Sequence, residues 1–219
     1  MNYIAAIFDL DGTLLNTIDD IRDSMNAVLG RRGFAGHSVE SYKFFVGDGM
    51  KNLAVRALPE NARRPELIDE IVIEMDREYG KNCDNKTAPY PGIIEMLGTL
   101  AEANVRISIL SNKPHIFTEA MVGRYFKGFK FEHVIGASDR FEKKPDPAAA
   151  LYIARDLDIP VSQFFYAGDT DTDMATARNA KMFAAGVSWG FRPERELKEA
   201  GADVIIGRPE QILKFFASA

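Results

Sequence analysis

Ile4-Ala5-Ala6-Ile7-Phe8-Asp9-Leu10-Asp11-Gly12-Thr13-Leu14 is the stretch on which the reading of the whole chain turns. Five consecutive apolar residues, Ile4 to Phe8, predict a strand buried on both faces, the kind found in parallel sheets covered by helices. Two carboxylates spaced two apart and a glycine follow at once. A buried strand that ends in charge has left the core and reached a cleft, and in open parallel sheets ligands bind beyond the carboxyl ends of the strands. Asp9 and Asp11 repel each other, so their closeness suggests a cation between or beside them. An Asp-rich turn would look the same locally. The carboxylates further along the chain must separate the two.

After Leu14 the period changes. Ile18, Ile21, Met25, Val28 and Leu29 recur every three or four residues, an amphipathic helix with Thr17 or Asp19 as cap and Gly30 and Gly33 past its end. A short helix can follow Ser38. Met50 to Leu58 resumes the pattern up to Pro59, and Pro65 can open a longer helix through Tyr79. The span holds no good strand. It reads as a helical module, residues 16–87, inserted after the first strand, with Thr13-Leu14 and Thr87 to Gly92 as hinges.

From Gly92 onward strand and helix alternate. Helices are expected at 93–103, 114–122, 147–157, 172–179 and 209–216, and strands at 105–110, 131–135, 163–167, 182–187 and 203–206. Units of this size imply right-handed crossovers and an α/β, doubly wound, mainly parallel sheet built from residues 1–15 and 88–219.

The bulk numbers exclude several classes. The chain has 219 residues, 46% apolar and 27% charged, an ordinary folded composition. A formal net charge of -5 argues against a broad nucleic-acid surface. A single cysteine, Cys83, rules out an intrachain disulfide and any cysteine metal cluster. No apolar run is long enough for a membrane span, and no basic and apolar leader precedes the first strand. A cytoplasmic protein, monomer or homodimer, is the expectation.

The residues that follow each strand sharpen the case. The first strand ends in Asp9 and Asp11, the 105–110 strand in Ser111-Asn112-Lys113, and the 163–167 strand in Gly168-Asp169-Thr170-Asp171-Thr172-Asp173. All lie at one rim of a parallel sheet, so groups a hundred residues apart can converge. His37, His115 and His133 are scattered and expected at the surface or in local structure. Zinc and iron are therefore poorly supported, whereas a carboxylate set suits Mg²⁺ with room for phosphate oxygens. Blander readings exist for each segment: an acidic helix start for Asp171, a helix cap for Ser111, a solvated loop for Lys143-Lys144-Pro145-Asp146-Pro147.

Taken together, these stretches resemble the haloacid dehalogenase superfamily of phosphatases, in the branch with a helical cap after the first strand. Asp9 to Thr13 matches its Asp-x-Asp-Gly-Thr motif, Ser111-Asn112 its second motif, Lys144-Pro145 its lysine motif, and Gly168-Asp169 with Asp173 its fourth. The resemblance implies that Asp9 is a nucleophile forming an aspartyl-phosphate and that Asp11 is a general acid and base. It implies Mg²⁺ held by Asp9, the Asp11 backbone carbonyl, Asp169 and Asp173. Ser111, Asn112, Lys144 and the Gly12-Thr13 turn would then surround the phosphoryl group. The acid at Asp11 favours phosphate esters or anhydrides over carbon–halogen bonds, since a halide leaves without a proton.

Val46-Gly47-Asp48-Gly49-Met50-Lys51-Asn52-Leu53 resembles the cap loop of phosphoglycolate phosphatases, and Gly186 to Arg192 looks like that group and its relatives, bacterial pyrophosphatases included. Gly47 and Gly49 would let backbone approach a small substrate. Lys51, Lys43 and Arg56 are candidates to meet a substrate carboxylate, against the plainer reading of a solvated helix face. Trp189 reads equally well as packing. The resemblance thus implies a Mg²⁺-dependent phosphomonoester hydrolase for a small phosphorylated molecule, 2-phosphoglycolate first. Pyrophosphate, sugar phosphates and nucleotides are alternatives, as are a sugar-phosphate mutase and a non-enzymatic protein that binds phosphorylated ligands. Asn16-Thr17 departs from the usual Asp-Ser of this connection without deciding the point.

Overall fold

The computed structural model describes residues 3–216. Strand β1 (Ala5–Phe8) is followed by a short β2 (Leu15–Asn16) and then by helices α1 (Ile18–Arg31), α2 (Val39–Phe45), α3 (Met50–Ala57) and α4 (Pro65–Asn82). A short β3 (Ala88–Pro89) leads back to the core, which continues as α5 (Ile93–Glu102), β4 (Arg106–Pro114), α6 (His115–Tyr125) and β5 (His133–Ala137). Then come α7 (Ala148–Asp156), β6 (Phe164–Gly168), α8 (Asp171–Asn179), β7 (Phe183–Val187), α9 (Glu194–Glu199) and β8 (Val204–Ile206). A 3₁₀ segment, Pro209–Phe215, stands where an α-helix was expected.

Six strands form one parallel sheet in the order β5-β4-β1-β6-β7-β8. β1 is central because it alternates into two cores. Ala6 and Phe8 pack with α5, α6 and the 3₁₀ segment on one face, and Ala5 and Ile7 with α7, α8 and α9 on the other. All four side chains are fully buried, and each of the larger two contributes roughly 1.5–3 kcal/mol. This is the Rossmann-like α/β layering expected from the continuous apolar run.

The inserted helices have a core of their own. Ile21, Met25, Val28, Leu53, Ile71 and Met75 pack together, and Phe191 from the sheet domain joins them. Ser38 accepts from the Ser41 N–H and so starts α2, whereas Thr17 sits at the head of α1 without a side-chain capping bond. The connections to this cap pair with each other as an antiparallel ribbon, Leu15 against Pro89 and Asn16 against Ala88. Asp20 in the first turn of α1 fastens the return strand: its carboxylate accepts from the Lys86 and Thr87 N–H groups and from the Thr87 hydroxyl at 2.8–3.0 Å.

Most elements lie within two residues of their expected places. β4 runs on through Ser111, Asn112 and Lys113, with its pairing to β5 shifted after Leu110. α9 was not anticipated: it is only six residues long, its charge pattern carries little apolar period, and Leu197 is its one buried residue.

Candidate active site

The in-register pairing of β1 with β6 places Phe8 beside Ala167, and the Asp9 N–H donates to the Ala167 carbonyl at 3.0 Å. Asp9 and Asp169 therefore leave the sheet side by side. α8 starts at Asp171, two residues later, with Thr170 as its cap. The Thr170 hydroxyl and N–H both donate to Asp173 Oδ2, at 2.6 and 3.1 Å, which turns that side chain back toward the strand end. The acidic run is thus a helix cap and a cluster at once.

Asp9, Asp169 and Asp173 are buried, and each offers an oxygen within 4.8 Å of the others. Lys144, also buried, lies between two of them, with Nζ 2.7 Å from Asp173 Oδ1 and 3.0 Å from Asp9 Oδ1. Asp9 Oδ1 also accepts from the Leu10 N–H at 2.7 Å, while its Oδ2 accepts no hydrogen bond from the described residues. Asp169 is fixed by the Thr13 hydroxyl at 2.9 Å and the Phe191 N–H at 2.8 Å.

One ammonium does not balance three buried carboxylates. Burial and then the charge of Asp173 push Asp9 up to about 7, with Lys144 pulling the other way. Burial, Asp173 and Asp9 hold Asp169 well above the usual carboxylate range. Burial opposes the charge on Lys144, but Asp173 and Asp9 outweigh it and raise its pKa. A buried trio of hard oxygen donors with surplus negative charge fits a divalent cation.

The other expected residues divide. Ser111 and Asn112 are buried at the end of β4. Ser111 Oγ accepts from the Lys113 N–H at 3.3 Å, and α6 has no side-chain cap, so the helix-cap alternative for Ser111 does not hold. Asn112 is a clamp: its amide donates to the carbonyls of Lys144 and of Gly47 in the cap, both at 3.0 Å, and its Oδ1 accepts from the Lys144 N–H at 2.9 Å. Thr13 donates to Asp169 rather than standing free in the cleft. The Asp11 carboxylate stands apart from the trio, with both oxygens 3.0 Å from Lys113 Nζ. Gly12 makes the turn between them at φ +84°.

A cleft of about 540 Å³, counting its open mouth, lies between cap and sheet domain. Asp9, Asp11, Ser111, Asn112 and Gly49 line it. Lys51 does not: it is exposed and paired with Asp69 at 2.9 Å. Lys43 pairs with Glu40, and Arg56 with Asp48 and the Phe45 carbonyl, so neither points into the cleft. Trp189 packs against the core and donates to the Thr13 carbonyl at 3.0 Å. Cys83 is a half-buried free thiol, and the three histidines sit in local contacts with Ala57, Glu119 and Asp156.

Three residues escaped the sequence reading. Lys113, one place after the motif residues, stands in the sequence among the groups at the strand end, with no role of its own assigned. Tyr79 was placed on the cap helix only as a terminus, yet its hydroxyl accepts from Lys113 Nζ at 2.7 Å. Arg192 was noted only within the C-terminal resemblance, but it is buried against the cap. The signal available for all three was polarity beside an apolar stretch, which does not reveal a partner.

This arrangement has counterparts. The family model for haloacid dehalogenase-like hydrolases matches residues 6–187, from β1 through β7. The chain belongs to that family. Among curated relatives, the phosphoglycolate phosphatase of Psychrobacter arcticus is 30% identical over 199 residues, covering 88% of this chain and 86% of the relative. That of Pseudomonas syringae pv. tomato is 30% identical, covering 91% and 75%. A crystal structure from Lactobacillus delbrueckii subsp. bulgaricus, provisionally named a phosphoglycolate phosphatase, superposes with a TM-score of 0.92 at 28% identity over 99% of this chain and all of its own. The chain is thus a capped phosphatase of the haloacid dehalogenase-like hydrolases, similar to the phosphoglycolate phosphatases. Among the described residues no helix is long and apolar enough to cross a membrane.

Proposed function

We propose that the protein hydrolyses a small phosphate monoester, 2-phosphoglycolate before others, through an aspartyl-phosphate on Asp9. The observation that carries this reading is the buried trio of Asp9, Asp169 and Asp173 with Lys144 among them, of which Asp9 opens into a cleft roofed by the cap. The relatives that share most of its length supply the substrate name.

Asp9 is built for attack. One oxygen is fixed by the Leu10 N–H and Lys144, which leaves Oδ2 to form the bond to phosphorus. As the phosphorus–ester oxygen bond breaks, Asp11 gives its proton to the leaving oxygen. It takes one back from the water that then cleaves the aspartyl-phosphate. Lys144, the Ser111 hydroxyl and the Asn112 backbone meet the negative phosphoryl oxygens, and Thr13 keeps Asp169 in place. Asp9, Asp169, Asp173 and the Asp11 carbonyl would hold Mg²⁺, which supplies charge to offset the carboxylates and the phosphoryl group.

Phosphate release from a panel of small phosphate esters, with Mg²⁺ and with a chelator, tests the reading. Metal-dependent release that is fastest with 2-phosphoglycolate and lost in Asp9→Asn is expected. Release that survives Asp9→Asn undiminished would exclude the nucleophile, and equal rates across the panel would exclude the substrate.

A further inference from the structure

One buried cation at the cleft has no part in the chemistry above. Lys113 closes the run Ser111-Asn112-Lys113 at the end of β4, and its side chain is almost wholly buried. Its Nζ lies 3.0 Å from both oxygens of Asp11 and 2.7 Å from the Tyr79 hydroxyl, and 4.4 Å from the centre of that ring. Tyr79 belongs to α4 in the cap. The ammonium therefore stands on the seam between cap and sheet domain, and two of its three N–H donors are spent on one carboxylate.

Lys113 is the one cation among the described residues that line the cleft wall; Lys144 lies deeper among the carboxylates, and the exposed Lys143 reaches the rim beside Gly49. The wall opposite the carboxylates is apolar, with Ile21, Val46, Met50, Leu53 and Met75 from the cap and Phe191 from the sheet domain. The cap cations that could have met a negative group are turned to Glu40, Asp48 and Asp69. A leaving group carrying its own charge would be buried against this wall without a partner unless a cation met it, and Lys113 is the cation buried there, beside Asp11.

The distances put Lys113 where such a charge would arrive. Asp11 must touch the leaving oxygen to protonate it, and Nζ is one hydrogen bond from Asp11. A carboxylate on the carbon next to the leaving oxygen falls within the same radius. We propose that Lys113 is the specificity-determining residue of this cleft and binds the carboxylate of a leaving group that bears one on the carbon next to the ester oxygen. It shares its donors among that carboxylate, one oxygen of Asp11 and the Tyr79 hydroxyl. The released Asp11 oxygen carries the proton to the leaving oxygen as the phosphorus–oxygen bond breaks and the Asp9–phosphorus bond forms. This inference rests on the phosphatase reading and adds to it the residue that selects the acid.

The test compares 2-phosphoglycolate with 2-hydroxyethyl phosphate, which carries a hydroxymethyl group in place of the carboxylate. In the wild-type enzyme kcat/KM should favour the carboxylate about 10- to 100-fold, the range expected of one charge-assisted contact, with the difference mainly in KM. Lys113→Met should bring the ratio of the two kcat/KM values close to one, whatever the absolute rates, and Lys113→Arg should restore part of it. Tyr79→Phe, which frees the ammonium on the cap side, should lower the ratio severalfold and serves if Lys113→Met does not fold. A Lys113→Met enzyme that slows equally on both substrates, keeping the ratio, would show a residue that only positions Asp11 and would overturn the inference. A wild-type enzyme that hydrolyses both esters without preference would overturn it too, while leaving the phosphatase reading intact. Hydrolysis of neither, with release from other esters of the panel, would overturn the inference and leave the phosphatase reading; release from no ester would overturn both.

Discussion

Arg192 in the sheet domain donates from Nη1 to the Lys43 carbonyl in the cap at 2.7 Å. Its Nη2 reaches the carbonyls of Phe44 and Val46 at 3.1 Å, and the guanidinium lies 5.1 Å from the centre of the Phe44 ring. These are the last carbonyls of α2, which have no partner within the helix, and a cation at a helix C-terminus is favoured there. One buried side chain of the sheet domain thus holds the end of a cap helix. Asp48 adds a second tie, accepting from the Thr172 hydroxyl at 2.8 Å.

Arg192→Met should loosen the cap without unfolding either core. Charge-assisted bonds contribute about 1.5–3 kcal/mol each where the acceptor has no substitute. Carbonyls exposed to water by opening regain part of that. We expect amide hydrogen exchange to accelerate about tenfold or more over residues 43–50, and kcat/KM to fall about tenfold. Exchange unchanged in that segment would show that Arg192 is packing alone.

Asp20→Ala tests the hinge. The substitution strips partners from the Lys86 and Thr87 N–H groups and the Thr87 hydroxyl, two of which are buried with Asp20 beside them. A buried unsatisfied donor costs about 1–3 kcal/mol. A loss of roughly 2–4 kcal/mol in a denaturant titration is expected, whereas Asp20→Asn, which keeps one acceptor oxygen, should lose about half as much. Equal losses for the two would mean that the carboxylate's charge, not its acceptors, holds the return strand.

The layering and the motif residues were legible because each rests on a local signal. The apolar run marks a strand covered on both faces, which Ala5 to Phe8 form with Ile4 exposed just before it, and the polar residues after the 105–110 and 163–167 strands mark the same rim. Lys113, Tyr79 and Arg192 were not legible, because what gives them a role is a partner 34, 102 or 149 positions away. Lys51 misled for the matching reason. A lysine two places after a glycine turn reads as cleft-facing, but the twist of α3 carries it round to Asp69. α9 escaped because six residues with one buried leucine hold too little period to be seen.

The same burial that raises Asp9 makes cation binding depend on pH. In the metal-free fold Asp9 rises to about 7 and Asp169 also rises, so both keep protons that the unfolded chain, near the ordinary value of 3.8, has already lost. The contribution of Asp9 to stability is present below about pH 4 and is lost as pH climbs through about 7; that of Asp169 runs in the same direction, lost as its carboxylate ionises against its neighbours. Cation binding must displace those protons, so affinity for Mg²⁺ should rise with pH over that range. At a hundred times its dissociation constant the ion adds about 2.7 kcal/mol, roughly 5–10 °C in Tm for a chain of this size. Melting curves with Mg²⁺ and with chelator should lie closer together at pH 5 than at pH 8. A constant separation would mean that the trio does not hold the cation.

Gly12 offers a sharper test of Asp169 than replacing the aspartate itself. Its φ is +84°, and a Cβ there would lie 2.2 Å from Asp169 Oδ2, the oxygen that accepts from the Phe191 N–H. Gly12→Ala therefore carries two costs: about 1–2 kcal/mol for a left-handed alanine, and displacement of a carboxylate that Thr13 and Phe191 fix from either side. Gly33 separates them. It too has a positive φ, +74°, but nothing lies within 4 Å of its added Cβ. Gly33→Ala should show the backbone cost alone, with Tm lowered by a few degrees and phosphate release unchanged. Gly12→Ala should lose about 2–4 kcal/mol and at least about 100-fold in kcat, with Mg²⁺ giving little or no rise in Tm. If Gly12→Ala matched Gly33→Ala in both rate and metal response, the position of Asp169 would not matter to the reaction, and the buried trio would have to be read as structure.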